Sequence, residues 1–195
     1  MGEINKISAI LLAAGQSKRM IDENKLTKEI QGIPIIKLSV KNILASSIDE
    51  LIIILGYQKE IIEKLIDKSV KIKFIFNKDF ESGMGSSIKT GLNNLSEETE
   101  SFFICLGDMP MVSHDIYDQL IKSKNNKEII VPTYKGQQGN PVLFNKSMKE
   151  KVINISGDAG AKKILELNKD KILNLEINDQ SIARGLNIED DFNSL

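Results

Sequence analysis

Ile10-Leu11-Leu12-Ala13-Ala14-Gly15-Gln16-Ser17-Lys18-Arg19-Met20 decides how this chain folds, and Lys25 follows close behind it. An apolar run that begins at Ile7, with Ser8 as its one polar residue, ends in three small residues and then in cations. A continuous apolar strand is one covered on both faces, which points to a parallel sheet between helical layers. Small side chains let the backbone approach a ligand closely. The amide groups of such a turn form a concave anion site. Arg19 and Lys25 add positive charge that suits phosphate oxygens. The segment reads as a nucleoside triphosphate pocket on the first strand-to-helix turn. It lacks the Gly-Lys-Ser/Thr ending of a Walker A loop and the G-x-G-x-x-G spacing of a dinucleotide fold.

Outward from this segment, apolar runs predict strands at 51–55, 102–106, 129–131, 142–144 and 172–177, with a half-exposed strand at 70–76. Helical periodicity predicts a helix from Pro34 to about Ala45, with Ile35, Leu38, Ile43 and Leu44 inward. A second helix spans 58–68, with Ile61, Ile62, Leu65 and Ile66 on one face. Further helices are expected at 86–95, 114–125, 147–152 and 161–168, and a last short one from Glu189. Strands alternating with helices predict an α/β fold: a three-layer α/β/α sandwich with a mostly parallel, Rossmann-like sheet, in one domain over 1–195. In such sheets ligands bind beyond the carboxyl ends of the strands.

The net charge of −1 over 195 residues gives no global field for nucleic acid or anionic membranes, so neither is expected as a partner. One cysteine, Cys105, excludes an intrachain disulfide and fits a reducing, cytoplasmic setting. It sits in an apolar run and is expected in the core. One histidine with one cysteine argues against a tetrahedral zinc site. The sequence shows no stretch apolar enough to span a membrane and no signal-peptide layout at its start.

Gly107-Asp108-Met109-Pro110 ends the central strand. A carboxylate there, beside a phosphate loop, is placed to hold Mg²⁺, which takes one or two protein oxygens and fills its octahedron with phosphates and water. The alternative is an Asp that only caps a turn before Pro110. A second oxygen ligand is sought late in the chain, and Asn187 is the candidate. Gly83-Met84-Gly85-Ser86-Ser87 joins backbone freedom to hydroxyls at a helix start. It suits a loop around ribose and base, or a simple N-cap. Gly139-Asn140-Pro141 and Gly157-Asp158-Ala159-Gly160-Ala161 are candidates for contact with a second substrate, or ordinary turns.

Leu12-Ala13-Ala14-Gly15-x-Ser17-x-Arg19-Met20, Lys25 and Gly32-x-Pro34 together resemble the signature of nucleotidyltransferases with a GT-A-like fold. The motifs at 83–87, 107–110, 139–142 and 157–161 narrow the resemblance to the molybdenum cofactor cytidylyltransferase branch of the MobA-like NTP transferases. The resemblance covers nearly the whole chain. It implies Mg²⁺-dependent transfer of CMP from CTP to the phosphate of the molybdopterin cofactor, with release of pyrophosphate and a molybdoenzyme as a further partner. By similarity Leu12, Ala13, Ala14, Gly15, Gly83, Gly85, Ser86 and Ser87 meet the nucleotide. Arg19 and Lys25 bind phosphates and act in catalysis with Asp108, the metal ligand. Ala14 before Gly15 is similar to the cytidylyl branch, whereas the guanylyl branch carries Gly-Gly. Two departures stand out: Ile21 where Gly usually follows Arg-Met, and Asn187 where the family has a second Asp. The rivals are GTP as donor, or a sugar phosphate, phosphocholine or polyol phosphate as acceptor. A non-catalytic nucleotide-binding partner is the alternative from another class.

Overall fold

The computed structural model describes residues 6–17, 24–124, 127–154, 162–183 and 185. Strand β1 (Lys6–Ala13) is its centre. It runs parallel to β4 (Glu50–Leu55) on one side and to β6 (Thr99–Leu106) on the other, so that Leu11 lies beside Ile53 and Cys105. Strand β5 (Ile72–Phe76) continues the sheet parallel to β4. Beyond β6 the direction changes: β9 (Val142–Asn145) is antiparallel to β6 and to β7 (Ile129–Tyr134), and β10 (Ile172–Glu176) closes the sheet parallel to β7. The order is β10-β7-β9-β6-β1-β4-β5, with the two-residue β8 (Gln137–Gln138) paired to the end of β7. A separate hairpin joins β2 (Glu29–Ile30) to β3 (Ile33–Pro34).

Side chains two apart on a strand share a face, and the core divides accordingly. Ala9, Leu11 and Ala13 of β1, with Ile53 and Leu55 of β4, pack against α1 (Ile35–Ala45), α2 (Lys59–Leu65) and α4 (His114–Lys122). Ile10, Ile52 and Ile54 pack against α3 (Met84–Asn93), α5 (Lys149–Ile153) and α6 (Lys162–Leu167). The expected three-layer sandwich and mostly parallel sheet are both present. Each fully buried Ile contributes about 1.5–3 kcal/mol by leaving water. All six residues of β4 are buried, as a central parallel strand requires.

The differences from the sequence expectation are local. Helix α2 ends at Leu65, and Ile61 is solvent-exposed, because the inward face of a helix this short is centred on Ile62. The buried face of α1 is Ile35, Ile36, Ser39, Val40 and Ile43; the expected Ile35 and Ile43 are on it, Leu44 packs half-buried against the same core, and Leu38 lies at its edge. Helix α3 starts at Met84, two residues before the expected Ser86. The expected helix from Glu189 lies outside the described residues. Among the described residues no helix is long and apolar enough to cross a membrane.

At the amino-terminal ends of these strands Glu50 is buried. It accepts from Ser8 Oγ at 2.9 Å and pairs with Lys73 at 2.5 Å, and Ser8 in turn bonds Thr99 at 2.9 Å. Burial by itself would push the Glu50 carboxyl up; the Lys73 ammonium and the Ser8 hydroxyl outweigh it and hold the carboxyl below the ordinary glutamate range.

Candidate active site

The carboxyl ends of β6, β1, β4 and β5 all reach one rim, and the loops that leave them gather there. A cleft of about 460 Å³ opens between three of these segments. Leu12, Ala14, Gly15, Gln16 and Ser17 form one wall, Phe80, Glu81, Gly83, Met84 and Ser87 another, and Leu106, Gly107 and Asp108 a third, with Lys25 and Leu26 beside them.

Local bonds explain how Lys25 arrives there. Ser17, in a left-handed turn at φ 49°, accepts the Lys25 N–H on its Oγ at 3.0 Å. Asn24 is buried; its Oδ1 accepts from Leu26 N at 3.0 Å and caps the short 3-10 turn Lys25–Thr27, and its Nδ2 donates to Tyr57 O at 3.4 Å. The Lys25 ammonium then donates to Asp108 Oδ2 at 3.0 Å. Of the two side chains 16% and 33% remain exposed, so the pair is half-solvated and faces the cleft.

Asp108 leaves the sheet on a turn that is fixed at several points. Gly107 N donates to Leu12 O at 3.0 Å, Ser39 Oγ donates to Gly107 O at 2.9 Å, and Asn42 Nδ2 donates to Pro110 O at 2.8 Å. Gly185 closes in from the tail: a Cβ there would stand 3.2 Å from Asp108 Oδ2. Gly185 thus stands beside Asp108; Asn187 lies outside the described residues.

The wall formed by Phe80, Glu81, Gly83, Met84 and Ser87 is set by Asn77, which is buried below the loop. Its Nδ2 donates to Ser86 Oγ at 2.8 Å and to Ser87 Oγ at 3.0 Å, and its Oδ1 accepts from Asp79 N at 3.0 Å. Gly83, at φ 105°, turns the chain into α3 through a conformation that side chains disfavour. The N-terminal end of α3 therefore opens on the cleft, with its orphan N–H groups and positive dipole end.

Of the residues singled out in the sequence, the structure brings Leu12, Ala14, Gly15, Lys25, Gly83, Ser87 and Asp108 to one cleft. Ala13 is not there: the alternation of β1 turns it into the core under α1. Gly85 is buried inside α3, and Ser86 lies 2.8 Å from the carbonyl oxygens of Asp79 and Gly83, stapling the loop. Gly139, Asn140 and Pro141 precede antiparallel β9, where Val142 lies opposite Ile104 of β6, so they extend toward the same rim without lining the cleft. Gly139 is needed for a close approach, since a Cβ would meet Ile182 O at 2.3 Å; Asn140 N donates to that same oxygen at 2.8 Å, and the Asn140–Pro141 bond is cis. Arg19 and Asp158 lie outside the described residues. Gln16, Glu81 and Met84, which sequence reasoning passed over, line the cleft; their nearness to Gly15 and Gly83 was the available signal.

Cys105 is buried in the core as expected, and burial pushes its thiol up to about 12, which a hydrogen bond with Tyr117 offsets only in part. His114 stands at the start of α4 against Asp115 and does not line the cleft. Among the described residues no group of three His, Cys, Asp or Glu side chains could hold a metal. One carboxylate at a polyphosphate-sized cleft is nevertheless a donor set that suits Mg²⁺, which draws its other ligands from phosphates and water.

Residues 9–173 match the MobA-like NTP transferase domain. The chain is 33% identical over 144 residues to the molybdenum cofactor cytidylyltransferase of Escherichia coli, covering 73% of this chain and 72% of that protein. It is 32% identical over 139 residues to a probable molybdenum cofactor guanylyltransferase of Methanosarcina acetivorans, covering 68% of this chain and 60% of that one. It is also 29% identical over 169 residues to the bifunctional protein GlmU of Thermosipho africanus, covering 83% of this chain and 36% of that protein. The solved structure of Rv0371c from Mycobacterium tuberculosis shares the fold, with a TM-score of 0.80 at 19% identity over 89% of this chain and 88% of that one. The same mycobacterial protein has been solved in complex with manganese (TM-score 0.75, 18% identity, 89% of this chain and 88% of that one). The match across 9–173 shows that this chain belongs to the MobA-like NTP transferase family.

Proposed function

We propose that the protein transfers CMP from CTP to the phosphate of the molybdopterin cofactor and releases pyrophosphate. The observation that carries this reading is the Lys25–Asp108 pair at 3.0 Å, on a cleft walled by the turn after β1 and the N-terminal end of α3. An acceptor phosphate oxygen attacks the α-phosphorus in line; its new P–O bond forms as the bond to the β-phosphate bridging oxygen breaks. The acceptor is already anionic, so no strong base is required. Asp108, with Asn187 as the second ligand, would hold a divalent ion, which when bound would neutralise phosphate charge. Lys25 and Arg19 stabilise the charge that accumulates on departing pyrophosphate. Gly15 and Gln16 seat the polyphosphate, and Gly83 and Ser87 border the nucleoside. Asp158 and the Gly139–Pro141 segment are the residues assigned to the acceptor. Positioning and fixed charge supply the rate, as in other phosphoryl transfers.

Ala14 lines the cleft, and its similarity to the cytidylyl branch at that position supports the choice of CTP. Two relatives at near-equal identity, one a cytidylyl and one a guanylyl transferase, keep GTP as the second reading. Melting curves with CTP, GTP, ATP and UTP, each with Mg²⁺, separate the two, because a ligand of the folded state raises its stability. CTP is expected to give the largest rise; a larger rise with GTP overturns the choice of base. Pyrophosphate release with CTP and molybdopterin, and none with sugar phosphates, phosphocholine or polyol phosphates, is the result expected for the acceptor.

A further inference from the structure

Helix α1 carries two polar side chains whose hydrogen bonds converge on the turn that presents Asp108. Ser39 and Asn42 are three residues apart and therefore share a face. Ser39 is 3% exposed, on the side of α1 that packs against the sheet. Its hydroxyl donates to Gly107 O at 2.9 Å, one residue before Asp108. The Asn42 amide donates to Pro110 O at 2.8 Å, two residues after it. A loop carbonyl buried without a partner is costly, and here both flanking carbonyls are held by the same helix. The helix is also tied to Lys25: Ile35 N, at its first turn, donates to Lys28 O at 2.8 Å, just after the 3-10 turn that begins at Lys25. One rigid element thus holds the backbone on both sides of Asp108 and the end of the segment that delivers Lys25.

We infer that Ser39 and Asn42 are positioning residues, which fix the direction of the Asp108 carboxylate and through it the capture of the divalent ion that accompanies the nucleotide. The inference rests on the proposed role of Asp108. Neither side chain lines the cleft, so neither touches substrate. Partners of this kind behind a metal ligand change metal affinity or activity by about 10- to 100-fold when removed.

The test uses the full chain and Mn²⁺ as the probe, with free Mn²⁺ followed by electron paramagnetic resonance in the presence of saturating CTP. Ser39→Ala and Asn42→Ala are each expected to weaken Mn²⁺ uptake by about tenfold or more. The KM for CTP at saturating metal should stay near that of the wild type while kcat falls. Ser39→Thr keeps the hydroxyl and should restore most of the uptake. Asn42 is only partly buried, so its variant keeps the test open if loss of Ser39 unfolds the protein. Lower melting temperatures with unchanged Mn²⁺ uptake in both alanine variants would reduce the two residues to ordinary packing and overturn the inference alone. No Mn²⁺ uptake by the wild type in the presence of CTP would overturn the reading of Asp108 as well.

Discussion

Opposite ends of the same strands hold two differently built charge pairs. At the amino-terminal ends Glu50 is sealed in, with 5% of its side chain exposed, and its oxygens are taken up by Lys73 and Ser8. At the carboxyl ends Asp108 keeps 33% of its side chain in solvent beside Lys25, on a cleft about 460 Å³ in volume. A buried carboxylate with its bonds satisfied holds strands together, and removing it leaves partners stranded. A half-solvated pair adds little to stability, since solvent screens it, and its charges remain available to a ligand. On the proposed reading, geometry at one rim serves folding and at the other chemistry.

Substitutions at the two rims should therefore separate stability from turnover. The largest effect is expected for Asp108→Ala, with turnover in a pyrophosphate-release assay lower by about a thousandfold and the melting temperature nearly unchanged. Wild-type turnover in that variant would remove Asp108 from the chemistry. Lys25→Ala comes next: initial-rate kinetics should show kcat/KM lower by about a hundredfold, again with little change in stability. Glu50→Ala should behave in the opposite way, costing about 2 kcal/mol. For a chain of this size that lowers the melting temperature by roughly 4–8 °C, with kcat retained; calorimetry beside an activity assay reads both. Equal loss of activity in this variant would erase the distinction between the rims.

The smallest effect is in pH dependence. Glu50 is held below its ordinary value, so its contribution is complete above about pH 4.3 and is lost as pH falls through the lowered folded value. Urea unfolding of Glu50→Gln at several pH values should show a shallower decline on the acid side than the wild type. An identical decline would mean that other carboxylates govern acid unfolding.

The frame of the molecule was legible because its signals are local. The apolar run through Ile10 and Leu11 marks β1, and the small residues after it mark the turn that lines the cleft. Alternating strands and helices gave the layers. Direction within the sheet was not legible: 142–144 reads as an apolar strand whether it runs parallel or, as β9 does, antiparallel. Hairpin β2–β3 and strand β8 are too short, at two residues per strand, to show a period. Ser39 was not legible on the buried face of α1 because it is polar, and its hydroxyl is buried only because Gly107 O accepts from it. Asn77 likewise read as the start of a loop, although its amide holds that loop together through Ser86 and Ser87. Side chains whose worth lies in a single distant carbonyl or hydroxyl leave no pattern along the chain.

The central claim is that a metal-bound nucleotide lies between the turn after β1 and the tip of β6. Paramagnetic broadening of amide resonances by substoichiometric Mn²⁺ with CTP tests it most directly. The account predicts selective loss of the Gly15, Gln16, Gly107 and Asp108 signals, with Ser8 and Glu50 at the far rim untouched. Broadening centred on the Glu50 rim, or spread evenly over the sheet, would contradict it.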